Sequence, residues 1–195
     1  MLKRIYDWVL NWADSRYGVV ALSIVSFLES SIFPIPPDPL LIALCLGKPS
    51  RAFWFALICS VMSVLGGIFG YLIGLVIWEA VSNFFFSYVF SENAFLFVSD
   101  KYHQNAFIAI LGAALTPIPY KVFTITAGVF KVNFLIFLIA SAIGRPLRFF
   151  TEAALISIFG QKIKLFIDRY FNILAILFFI LLLLGFFVIK YFFKN

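Results

Sequence analysis

Two proline-rich interruptions divide the apolar sequence of this chain into arms that are too short to cross a bilayer. The first separates an apolar run at 17–33, about 25 Å long as a helix, from a run at 40–46 of about 10 Å. The second separates 106–115 from 122–130, arms of about 15 and 14 Å. A hydrocarbon core is about 30 Å thick. We therefore predict two re-entrant helical hairpins; for the first, the alternative is one short spanning helix followed by a loop.

Composition assigns these arms to a membrane protein. Of 195 residues, 64% are hydrophobic and 12% charged, whereas a soluble domain is about half apolar and a quarter charged. This excludes a disordered chain, a disulfide scaffold and an ordinary cytosolic enzyme. The net charge of +6 is typical of cytoplasmic loops and contacts with anionic headgroups. The basic residues form no stripe, so nucleic acid is not an expected partner. Cys45 and Cys59 lie in apolar runs and are predicted to be small core residues.

The predicted organisation is an all-α integral membrane protein in which two inverted hairpins pack with about three transmembrane helices. Residues 1–16 are predicted to form a retained, amphipathic interfacial helix. A membrane domain at 17–160 contains a hairpin (17–47), a transmembrane helix (52–80), a second hairpin (106–130) and a transmembrane helix (133–159). A C-terminal transmembrane helix follows at 171–192. Basic residues outside the membrane favour a cytoplasmic N-terminus.

A short repeat connects the two interruptions, because Pro-Ile-Pro at 34–36 recurs at 117–119. The predicted hairpin tips contain Pro34, Pro36, Pro37, Pro117 and Pro119. A hairpin returns to its own side and the next helix crosses, so the second copy should begin on the opposite side. Broken helices at matching positions of inverted halves are a pointer to a transport site near the midplane.

Three glycines at four-residue spacing, Gly66, Gly70 and Gly74, share one face of the first transmembrane helix. Such a face allows a neighbouring helix to approach closely. We expect these residues to serve helix packing.

Six ionisable residues fall at predicted membrane depth, where each costs roughly 2.5–3.5 kcal/mol at a helix centre. They are Glu29, Asp38, Lys121, Arg145, Arg148 and Glu152. Their number favours a polar cavity between the hairpins. The simpler alternatives are ion pairs that only fix helix packing, Asp38 as a helix cap, and arginines that snorkel or pair with Glu152.

Within this set the acids and bases suggest different roles. Glu29, close to the first tip, can be protonated reversibly if it is desolvated, as proton coupling requires, and Asp38 is its predicted companion. Arg145 and Arg148 share a helix face and suit a phosphate, with Lys121 at the second tip. Asp38 and Lys121 occupy the same offset in the two copies of the repeat.

No catalytic, metal or cofactor signature accompanies these residues. The chain lacks the zincin, nucleophile-elbow and P-loop motifs, and His103 is its only histidine. We therefore expect no enzymatic activity, no metal and no cofactor.

These motifs resemble the DedA family, also called the VTT-domain or SNARE-associated Golgi protein family, and especially its YqaA-like branch. The residues that carry the resemblance are 27–31 (FLESS) with 33–38 (FPIPPD), Gly66-Gly67, Gly70 to Gly74, 116–124 (TPIPYKVFT) with Gly128, and 144–150 (GRPLRFF).

The resemblance implies two re-entrant hairpins in a bacterial inner membrane and proton-coupled translocation of phospholipids or a polyprenyl phosphate. It also implies that acids at the first hairpin matter, and Glu29 and Asp38 match them. Many members carry two arginines around a proline at the second tip. Here Lys121 is the only base at that tip, and Arg145 and Arg148 are candidates to replace the absent arginine.

The expected function is thus a lipid flippase or scramblase, with membrane lipids and protons as partners and homo-oligomerisation left open. A proton-coupled carrier of a small ion or solute is the first alternative. A non-transporting membrane scaffold is the second.

Overall fold

The computed structural model describes residues 17–33, 35–88, 92–116 and 118–160, and these residues fold into helices without any strand. The helices are α1 (Gly18–Ser31), α2 (Asp38–Gly47), α3 (Ala52–Tyr88), α4 (Glu92–Leu115), α5 (Tyr120–Val129) and α6 (Phe134–Gly160). A short 3₁₀ turn, Pro49–Arg51, precedes α3. The predicted helices at 1–16 and 171–192 and the tip residues Pro34 and Pro117 lie outside the described residues.

Prolines set the beginnings of both short helices that follow the interruptions. Proline is favoured at the start of a helix, since its missing N–H has no intrahelical partner there. Pro37 immediately precedes α2, which has Pro39 in its first turn. Pro119, with an extended backbone, immediately precedes α5. In α4 the backbone leaves helical geometry at Asn105 (φ −123°, ψ 15°), so a separate helical segment runs from 106 to 115.

Helix α3 lies between α1 and α5, and its glycines permit this arrangement. A Cβ on Gly66 would lie 2.2 Å from the carbonyl oxygen of Phe27 in α1, and one on Gly74 would lie 2.1 Å from that of Ile125 in α5. Gly70 faces Thr124 of α5 and the backbone of α1. Only a residue without a side chain allows backbones this close together.

The helices bury small polar side chains and expose large apolar ones, as helices of membrane proteins do. In α1, Ser26 and Ser30 are fully buried, whereas Val20 and Ile24 are each 53% exposed. The other long helices likewise turn large aliphatic side chains outward. Small polar residues at helix interfaces and apolar residues on the outer surface are typical of membrane bundles.

Two of the described helical stretches, Pro49–Ala80 and Phe134–Gly160, are long and apolar enough to cross a membrane. Two apolar cores support them. One is formed mainly by α1, α2, the start of α3 and the end of α6. The other is formed mainly by α4, α5 and the start of α6. Cys45 and Cys59 are buried free thiols in the first core.

Candidate functional site

The four charged residues predicted for proton coupling and for the arginine pair meet in one place as two ion pairs. Arg145 Nη2 donates to Glu29 Oε2 at 2.8 Å, and Arg148 Nη2 donates to Asp38 Oδ1. Glu29 lies near the end of α1 and Asp38 begins α2, while both arginines extend from one face of α6. Each predicted acid is therefore matched by a predicted base from the other half of the chain.

Arg145 is held on every side. Its side chain is 2% exposed, and its Nε donates to the hydroxyl of Ser63 on α3. The guanidinium carbon lies 4.7 Å from the centre of the Tyr120 ring and 4.6 Å from that of Phe149. A desolvated cation over aromatic faces gains about 2 kcal/mol. These contacts fix the position of Arg145 as well as its charge.

Serine hydroxyls extend this polar layer toward α1. Ser30 donates to Glu29 Oε2 at 3.0 Å and lies 2.6 Å from the Ser63 hydroxyl. The Ser63 hydroxyl thus contacts both Ser30 and Arg145. Buried polar networks of this kind orient their members, because an unsatisfied group in a medium of low dielectric constant is costly.

Arg148 joins the two proline-rich interruptions. Its Nε lies 3.1 Å from Asp38 Oδ1, and its Nη1 donates to the carbonyl of Thr116 at 2.7 Å. It also contacts Glu152, one helical turn later on α6, with Nε 3.3 Å from Oε1. The side chain is 19% exposed, so Arg148 is more accessible than Arg145.

A partly open cavity of about 330 Å³ lies at these ion pairs. Its lining consists of Glu29, Pro36, Asp38, Pro39, Ile118, Pro119, Arg145 and Arg148. The volume corresponds to about ten water molecules at roughly 30 Å³ each. All four charged groups can therefore meet the same small polar guest.

Lys121 is placed differently from the two arginines. It is half-buried at the start of α5 and is not among the residues that line the cavity. Among the described residues its ammonium group forms no ion pair, and its carbonyl accepts a hydrogen bond from Thr124. The second interruption contributes the Tyr120 ring and the Thr116 carbonyl to the arginines instead of a base. The predicted role of Lys121 in phosphate binding stays a prediction.

From the sequence, Glu152 is one of six ionisable residues at predicted membrane depth and a possible partner for Arg148, without a functional role of its own. The structure places it beside Asp38 on the same guanidinium, and its Oε2 atom is buried without a hydrogen-bond partner. The i,i+4 spacing to Arg148 was the available signal, but it could not reveal the third group. No cluster of three or more potential metal-ligating acids, histidines or cysteines occurs in the described ranges.

The helices that carry the site are tied to each other by two long-range hydrogen bonds. Thr124 of α5 donates to the carbonyl of Ser30 in α1 at 3.1 Å. Tyr120 donates to the Ser141 hydroxyl on α6. The first bond joins α5 to α1, and the second joins the start of α5 to α6.

The model of the VTT domain matches residues 33–158 of this chain. The chain belongs to the VTT-domain (DedA) family. The matched range contains Asp38, Arg145, Arg148 and Glu152, and Glu29 lies just before it. The predicted membership of this family is thereby confirmed.

Two relatives of this VTT-domain protein are uncharacterized bacterial proteins of similar length. One, from Haemophilus influenzae, is 34% identical over 95% of this chain and 96% of its own. The other, from Histophilus somni, is 30% identical over 81% of this chain and 82% of its own. No solved structure matches the chain. Family membership together with the two candidate spans indicates a membrane protein with a transporter-like role.

Proposed function

We propose that this VTT-domain protein is a proton-coupled flippase or scramblase for a phosphate-bearing lipid, such as a phospholipid or a polyprenyl phosphate. The observation that carries the proposal is the pair of guanidinium groups, each neutralised by a carboxylate, at a cavity between the two proline-rich interruptions. In this proposal the interruptions are the tips of hairpins that enter the membrane from opposite sides.

The two arginines suit a phosphate because a guanidinium offers planar, paired donors that match phosphate oxygens. Arg148 is the more accessible of the two, and Arg145 lies one turn away on the same face. A phosphate entering the cavity would meet Arg148 first, with Arg145 behind it. Lys121 does not line the cavity, so the phosphate contacts proposed here are those of the two arginines.

Exchange of ionic partners explains why transport would involve protons. In the present state each guanidinium is paired with a carboxylate, so neither charge is left alone in a poorly solvated site. A phosphate that takes an arginine leaves a carboxylate without its cation. That carboxylate is neutralised most simply by a proton, so phosphate entry favours proton uptake.

The size of the cavity and the residues of the two interruptions indicate how a lipid would fit. A volume of about 330 Å³ accommodates a headgroup but no acyl or prenyl chain. Ile35 and Ile118, the central residues of the two Pro-Ile-Pro copies, are 53% and 38% exposed. Exposed apolar residues in the same segments that supply the cavity lining would allow the tails to stay in the bilayer while the phosphate moves through the protein.

The test is a headgroup-exposure assay in vesicles that contain the purified protein and a labelled phospholipid or polyprenyl phosphate. An impermeant reagent reports which headgroups have reached the outer leaflet. We expect Glu29→Gln and Arg145→Ala to slow transport about tenfold or more, because a hydrogen bond to a charged group contributes about 1.5–3 kcal/mol. Glu79→Gln is the matched control, since Glu79 forms only an exposed ion pair with Lys131.

Three results would contradict the proposal. Unchanged lipid transport in folded Glu29→Gln and Arg145→Ala proteins would remove the mechanism. Loss of stability without loss of flux would support a scaffold in which the charges only lock helices. Movement of a trapped solute without movement of labelled lipid would support a solute carrier.

A further inference from the structure

Arg148 serves two carboxylates with one positive charge. Its Nε contacts Asp38 Oδ1 at 3.1 Å and Glu152 Oε1 at 3.3 Å, and Nη2 also donates to Asp38. Its Nη1 is committed to the Thr116 carbonyl. The ionised group of Asp38, Arg148 and Glu152 would carry a net charge of −1 in a site where the three side chains are 19–24% exposed.

The two carboxylates also lie close to each other. Asp38 Oδ1 and Glu152 Oε1 lie 3.1 and 3.3 Å from the same Arg148 Nε, so the two carboxylates are neighbours. An ionised carboxylate can only accept hydrogen bonds, so neither can donate to the other. The Oε2 atom of Glu152 is buried and receives no hydrogen bond from any described group. A proton between the two acids would supply the donor that this arrangement lacks.

Among the residues that the structure describes, no further cation pairs with Asp38 or Glu152. The buried thiols of Cys45 in α2 and Cys59 in α3 lie in the core that these helices form with the end of α6, and a neutral thiol offers no positive charge. Arg145 also acts on Asp38, but its charge is matched by Glu29. Like-charged carboxylates that share a site favour holding one proton between them.

We propose that Asp38 and Glu152 share one proton and that this pair of acids binds and releases the proton of the transport step. The second clause rests on the proposed function. With the proton bound, the pair holds Arg148 less strongly, and the guanidinium is free to bind a phosphate. When the proton leaves, two carboxylates compete for Arg148 and the phosphate is displaced. One proton is thus bound and one released in each cycle.

Infrared difference spectroscopy of the protein in lipid, recorded across a pH titration, tests the shared proton without any transport. The wild type and the Glu79→Gln control should show the titrating band of a protonated carboxylic acid. The band should be lost in Glu152→Gln and in Asp38→Asn. We expect the Glu152→Gln protein to fold, because the glutamine amide can accept a hydrogen bond from Arg148 and donate one to Asp38 in place of the shared proton. A full band in folded Glu152→Gln protein would overturn the proposal.

A second measurement keeps the two proposals apart. In vesicles with an imposed pH gradient, Glu152→Gln should lose the response of lipid transport to the gradient. If the wild type moves lipid and Glu152→Gln responds to the gradient as the wild type does, the coupling role of the pair is wrong and lipid transport stands. If the infrared results hold but the wild type moves no lipid, the shared proton stands and the transport function is wrong.

Discussion

Replacing Glu29 by glutamine leaves the Arg145 guanidinium buried without its counter-charge. Arg145 is 2% and Glu29 15% exposed, and removing one partner of a buried ion pair costs about 3–5 kcal/mol of the free energy of unfolding. The Ser63 hydroxyl and the two aromatic rings around Arg145 remain. We therefore expect a loss near the lower limit, about 3 kcal/mol.

A second substitution shows how much of this loss comes from the unpaired charge of Arg145. Adding Arg145→Met to Glu29→Gln removes both charges and places a flexible apolar side chain between the aromatic rings. The double variant contains no lone buried charge, which is the main cost of breaking such a pair, and the Ser30 hydroxyl can still donate to the side-chain oxygen of Gln at 29. It should therefore unfold within about 1 kcal/mol of the wild type. The coupling energy between the two sites follows from the four proteins.

Denaturant unfolding in detergent micelles measures these differences for the wild type, both single variants and the double variant. Glu79→Gln, at an exposed pair, should change the free energy of unfolding by no more than about 1 kcal/mol. If Glu29→Gln unfolds within about 0.5 kcal/mol of the wild type, which is the range of ordinary surface substitutions, the ion pair is not desolvated and the reasoning about the site is refuted.

Two further predictions concern packing, and the same unfolding measurement checks both. Gly74→Ala should lower the free energy of unfolding by about 1–3 kcal/mol, because its Cβ would lie 2.1 Å from the Ile125 carbonyl oxygen. In Gly112→Ala the new Cβ meets nothing within 4 Å, so this replacement of a helical glycine should raise the free energy of unfolding by about 0.5–1 kcal/mol. Equal effects at the two glycines would contradict the packing described. Tyr120→Phe should cost about 1–3 kcal/mol, because it leaves the buried Ser141 hydroxyl without its donor, whereas no change would show that this hydrogen bond adds nothing to stability.

The local features of the fold could be predicted from the sequence because each depends on neighbouring residues. The proline clusters predicted short helices after each interruption, and α2 and α5 begin directly after Pro37 and Pro119. The four-residue spacing of Gly66, Gly70 and Gly74 placed them on one face whatever the rest of the chain does. Helical periodicity also placed Arg145 and Arg148 together, since residues three apart are neighbours on a helix.

Which acid pairs with which arginine could not be predicted from the sequence. The pairing of Glu29 with Arg145 joins residues 116 positions apart, and it depends on how α1 and α6 are rotated and shifted against each other. Periodicity within one helix carries no information on that rotation. For the same reason the sequence could not show that the cavity lining would include Arg148 and not Lys121.

The sequence by itself determined that this is a membrane protein with two helix-breaking interruptions and more buried charge than lipid tolerates unpaired. Those properties follow from composition, arm length and local spacing. Only the tertiary structure decided which charges neutralise each other, and that two acids would share Arg148. That outcome depends on distances of a few ångströms between helices that are remote in sequence, where the low dielectric constant makes each pairing energetically important.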